Sequence, residues 1–181
     1  MRVNLTRKLT TCAFLAALSI VLAYIIRFPI FPAVAFLEYE PADVPIFIAA
    51  FLFGPWWGIG ITIVVSAIQA MTVSASSGVI GFAMHVFATG AFVLVAGLMT
   101  RKNKSTRRMV EAFCAGTLTM VALMIPLNLI FTPMYGVPLQ TVKDLMLPFI
   151  VPFNLIKAGA NAAISCALCA QLRRVKALQP V

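Results

Sequence analysis

Apolar residues in this chain fall in long, nearly unbroken runs, not in the alternating or three-to-four-residue patterns of soluble elements. A membrane-crossing helix needs about 20 mostly apolar residues. The runs predict helices over 9–26, 42–54, 56–73, 79–99, 109–131 and 148–171. The second run is short. At about 1.5 Å per residue it falls under the roughly 30 Å of a bilayer core, so it must tilt, extend into the preceding loop or be sheltered by neighbours. Gly54-Pro55 breaks the chain before the third run, and Trp56 and Trp57 suit an interfacial belt. The expectation is an all-α integral membrane protein, one six-helix domain over 1–181.

Composition supports lipid as the solvent: 62% of residues are hydrophobic and 10% charged, against roughly a quarter charged in soluble domains. The net charge of +9 could point to nucleic acid, but its placement does not. Arg2, Arg7 and Lys8, then Arg101, Lys102, Lys104, Arg107 and Arg108, then Arg173, Arg174 and Lys176 each abut an apolar run. These clusters read as cytoplasmic juxtamembrane segments, with no nucleic-acid partner. Both termini are therefore expected inside, leaving 27–41, 74–78 and 132–147 outside with only Arg27 and Lys143. The run at 9–26 is long for a signal core and reads as a retained first helix. The expected location is a bacterial cell membrane, crossed several times.

Polar residues inside the runs are few, and an unpartnered one in hydrocarbon is costly. In the last helix, Asn154, Lys157, Asn161 and Ser165 fall within about 80° of one another, forming one stripe. Lys157 either snorkels, pairs with Glu38, Glu40 or Asp43, or faces a polar cavity. Asn128, Gln69 and His85 lie at similar depth on helices of alternating direction, which predicts one outward-opening pocket roofed by the first outer loop. Three of the five acids, Glu38, Glu40 and Asp43, gather at that loop. Each residue also has a plainer structural role. His85 is a good helix–helix hydrogen-bond partner, Gln69 can bond a backbone carbonyl, and Asp43 is expected to cap the second helix. The outer segment 132–147, with Pro133, Gly136 and Pro138, is expected to turn. Cys12, Cys114, Cys166 and Cys169 are expected to be small buried residues.

The chain carries no G-x-x-x-x-G-K loop, no H-E-x-x-H and no G-x-S-x-G, and its acids lie in loops or near helix ends. No catalytic residue, metal site or cofactor is expected. A capture device without an engine needs a partner.

Four segments are recognisable together: LEYEPADVPIFIAAFLFGPWWGI (37–59), MHVFATGAFVLVAGL (84–98), LNLIFTPMYGVP (127–138) and PFNLIKAG (152–159). In this order they resemble the riboflavin-specific S components of energy-coupling factor (ECF) vitamin transporters. The resemblance implies a six-helix subunit that binds its vitamin near the outer surface and works with a membrane T component and two cytoplasmic ATPases. It implies flavin contacts at Asn128, Asn154 and Lys157, and a T-component contact at the A-x-x-x-A pair Ala13 and Ala17. Asn amides and a lysine match the acceptor and donor edge of a flavin. Leu37, Tyr39, Met84, Gln69 and His85 complete the expected substrate-binding set, with Phe87 and Met134 as further ring contacts. The expected cargo is riboflavin, its phosphate or another ring-bearing vitamin.

Overall fold

The computed structural model describes residues 4–173. Its helices are α1 (Leu5–Ile25), α2 (Asp43–Phe53), α3 (Pro55–Met71), α4 (Gly78–Thr100), α5 (Thr106–Phe131), α6 (Leu139–Leu145) and α7 (Val151–Leu172). Among the described residues, four stretches are long and apolar enough to cross a membrane: Leu5–Ile25, Gly78–Thr100, Thr106–Tyr135 and Leu139–Leu172. The helices α2 and α3 are apolar but shorter. With α6 taken as the bent lead-in to α7, six helical units make the bundle.

The short α2 is sheltered. Every residue from 43 to 52 is buried, and α1, α3, α4 and α7 all pack against this helix. Protein, not lipid, surrounds its backbone, so its length need not match the bilayer. Gly54 ends it at φ +97°, a left-handed value that a side chain would strain. Lys104 then donates to the Leu52 carbonyl at 2.8 Å, satisfying one of the acceptors left open at the helix end. Burial holds the Lys104 ammonium below its usual pKa.

Aromatic rings and glycines set how closely the helices approach. Phe47 of α2 stacks on Phe92 of α4 with centroids 3.6 Å apart, and Phe113 of α5 meets both rings at an angle. Gly58 lets α3 lie against α2 and α4: a Cβ there would sit 2.5 Å from Val93 Cγ1 and 2.8 Å from Ala50 Cβ. Gly97 likewise admits the backbone of Pro55, at 2.9 Å from such a Cβ.

The connections α1–α2 and α5–α7 are more ordered than a turn reading implies. The first forms a small hairpin, β1 (Phe28–Pro29) antiparallel to β2 (Glu38–Tyr39), around a 3₁₀ turn at Pro32–Val34. The segment expected to turn over 132–147 instead holds a 3₁₀ turn (Thr132–Tyr135), the helix α6 and a π turn at Met146–Ile150 that runs into α7. Val142, Met146 and Ile150 recur every four residues and bury one stripe, with Leu37 and Leu129 packed on it. Polar Gln140, Lys143 and Asp144 on the other face hide this helix from a search for apolar runs. Pro148 has no N–H to give, which suits the widened turn where it sits. The cysteines also differ from expectation: Cys12 and Cys169 are buried, but Cys114 is exposed on the perimeter.

Candidate functional site

The polar centre of the bundle is built on Asp43, in the first turn of α2 and 1% exposed. Its expected capping role is not what the structure shows. Ala42 occupies the cap position, no side chain caps this helix, and the carboxylate turns toward neighbouring helices. Oδ1 lies 2.9 Å from His85 Nε2 and accepts from Thr89 Oγ1 at 3.0 Å, both on α4. Oδ2 faces Asn161 Nδ2 of α7 at 3.5 Å. Bonding to side chains a full helix away answers the desolvation of a buried carboxylate better than one local cap. His85 Nδ1 in turn lies 2.9 Å from Ser66 Oγ of α3. A serine hydroxyl donating to Nδ1 would leave Nε2 to donate to Asp43.

From Asn161 the network continues to the loop between α1 and α2. Tyr39 donates to Asn161 Oδ1 at 2.9 Å, and Asn161 Nδ2 donates to the Glu40 carbonyl at 3.1 Å. Burial raises the Tyr39 phenol above its usual pKa, partly offset by the nearby Lys157 charge, so it remains a neutral donor. Lys157 Nζ reaches Glu40 Oε1 at 3.3 Å and sits 5.9 Å over the Phe153 ring. Glu40 Oε2 is buried with no hydrogen-bond partner. The loop is pinned at its other end too: Arg27 pairs with Glu38 and donates to the Val73 carbonyl at 2.6 Å, tying the hairpin to the α3–α4 connection. Ser19 of α1 donates to the Ala42 carbonyl, just before α2.

Comparison with known proteins decides the family. The profile described as "ECF transporter, substrate-specific component" matches residues 7–169. The chain belongs to that family. This S component is 29% identical to the riboflavin transporter RibU of Streptococcus thermophilus over 84% of its own length and 76% of the relative's. It is 28% identical to RibU of Staphylococcus aureus, covering 83% of this chain and 82% of that one, and 28% identical to the riboflavin transporter FmnP of Bacillus subtilis, covering 83% and 84%. A solved S component of a bacterial ECF transporter superposes with a TM-score of 0.82 at 27% identity, over 94% of this chain and 98% of that one. The protein is therefore a multi-pass membrane transport component and not an enzyme.

The residues singled out from the S component's sequence fall into two groups. Gln69 and His85 line a small cavity of about 120 Å³ between α3 and α4, with Ser66, Ser74, Ser77 and Gly81. That is below the roughly 300–1,000 Å³ of sites for drug-sized ligands. Gln69 is 4% exposed and its Nε2 lacks a hydrogen-bond partner. The second group is spread over α5, α7 and the loop between α1 and α2. Asn128 donates to Met124 O at 2.8 Å and accepts from Thr132 at 3.1 Å. Asn154, 2% exposed, donates to Ile150 O at 2.8 Å, and Lys157 and Tyr39 are held as described above. Leu37 packs on the α6 stripe, while Met84 packs half-buried against the main core. Phe87 and Met134 do not join either group; both are exposed. Thr89 and Ser66 escape a sequence reading because hydroxyl residues are common in membrane helices. The available signal was spacing: Thr89 follows His85 by one helical turn, and Ser66 precedes Gln69 by one.

Proposed function

We propose that this S component captures riboflavin at the extracellular face, between the first outer loop and the outer ends of α5 and α7. It then delivers the vitamin inward within an ECF complex of one T component and two ATPases. The observation that carries this reading is the Lys157–Glu40 pair. It joins the α7 polar stripe to the loop, with one carboxylate oxygen of Glu40 left without a partner. An ammonium, an unpaired carboxylate oxygen and the amides of Asn128 and Asn154 supply the donors and acceptors that the edge of a flavin needs. The three named relatives, all riboflavin transporters, support the same cargo. The basic clusters support an N-in, C-in orientation, which turns this face outward. The pair Ala13 and Ala17 lies on the exposed side of α1, opposite buried Cys12, Leu15 and Ser19, and we assign it to the T component.

Titration of riboflavin with the detergent-solubilised protein tests the reading. Stoichiometric quenching of flavin fluorescence is expected, weakened by Lys157→Ala and by Asn154→Ala. Absence of quenching at micromolar protein would overturn it.

A further inference from the structure

A second cavity, of about 640 Å³, opens between α5 and α7 on the bundle's perimeter, far larger than the polar one. Val110, Cys114 and Leu118 line it from α5, and Leu155, Gly159 and Cys166 from α7. Val110, Leu118 and Leu155 are 47%, 64% and 48% exposed, so the groove faces the surroundings of the bundle. Those surroundings are acyl chains, because α5 and α7 lie in stretches long and apolar enough to cross the membrane.

The sequence continues each wall into an arginine. On α5, Arg107, Val110, Cys114 and Leu118 recur at steps of three or four residues and share a face; on α7, Leu155, Gly159, Cys166 and Arg173 recur at steps of four and seven and also share one. Arg173 Nη1 reaches Thr106 Oγ1 at 3.0 Å, so the two walls meet at this end of the groove. Arg107 Nε donates to Glu111 at 2.9 Å, and Arg108 Nη1 reaches the same carboxylate at 3.3 Å. Arg107 and Arg108 share the single carboxylate of Glu111, which leaves this pair net positive, and the Arg107 side chain is 91% exposed.

We propose that this groove is a binding site for an anionic glycerophospholipid, its acyl chain lying between α5 and α7 and its phosphate against Arg107. An apolar trough ending in a cationic rim at the basic side of the bundle matches that amphiphile in both halves. A neutral helix from another protein would leave the rim unanswered. The face assigned to the T component lies on α1, which packs chiefly on α2 and α3. Gly159 keeps the trough open: a Cβ there would meet nothing within 4 Å.

Native mass spectrometry of the full-length protein, offered phosphatidylglycerol or phosphatidylcholine of the same acyl chains, tests the site. Phosphatidylglycerol should be retained preferentially. Arg107→Gln, at an exposed position that folding does not need, should cut its retention roughly fivefold. Gly159→Leu should reduce retention of both lipids by filling the trough. Equal retention of the two lipids, or unchanged phosphatidylglycerol retention in Arg107→Gln, would overturn the proposal. So would a dimer that Gly159→Leu dissociates, since the occupant would then be a second copy.

Discussion

Asp43 and His85 meet at 2.9 Å across the α2–α4 interface, and the same carboxylate faces Asn161 of α7 at 3.5 Å. One acidic side chain at the start of the central helix thus joins three helices and, through Asn161, the loop that covers them. The S component's stability and its proposed ligand face share this junction.

Asp43→Ala is expected to destabilise the protein by about 1–3 kcal/mol, because buried Thr89 and half-buried His85 lose their common acceptor and Asn161 loses one of two. Thermal unfolding in detergent measures this. A change under about 1 kcal/mol would mean that the network contributes little.

Two glycines of α3 make a paired comparison. Gly58→Ala places a methyl 2.5 Å from Val93 Cγ1 and 2.8 Å from Ala50 Cβ, and should cost about 1–3 kcal/mol. Gly60 has nothing within 4 Å of the same added carbon, so Gly60→Ala should be neutral or stabilising by up to about 1 kcal/mol. Melting temperatures of the two variants should differ in that order.

Lys157→Ala should weaken riboflavin binding by roughly tenfold to a hundredfold, the range for losing a hydrogen bond to a charged group. Competition between riboflavin and its phosphate then separates two roles for the ammonium. If it meets the ring, both ligands should lose affinity equally; if it meets the phosphate, the phosphorylated ligand should lose more.

Ala13→Trp and Ala17→Trp should leave the melting temperature and flavin quenching intact, since both positions are exposed on α1. Co-purification with the T component should fall sharply in both. Retention of the complex would move the docking face elsewhere.

The broad architecture was legible because a lipid environment imposes a blunt rule: apolar runs of sufficient length become helices. The segment 132–150 was not legible in that way. Its α6 buries one face only, and Lys143 and Asp144 on the other face broke the apolar run that such a reading relies on. Asp43 was misread for a related reason. Its place at a helix start suggested a cap, whereas its partners His85 and Asn161 are 42 and 118 residues away in sequence. No local pattern reports on a bond across that distance.

The chain's sequence alone thus determined a helical membrane protein of the ECF S-component kind, since hydropathy, the placement of charge and four ordered motifs are all written along one dimension. Tertiary structure decided which polar groups meet: that α2 is enclosed on all sides, that Lys157 finds Glu40, and that Gln69 and His85 line a small cavity between α3 and α4 whose walls do not include Lys157. Pairings of this kind depend on how closely helices approach and rotate, and that is settled by packing at residues such as Gly58, Phe47 and Phe92 together.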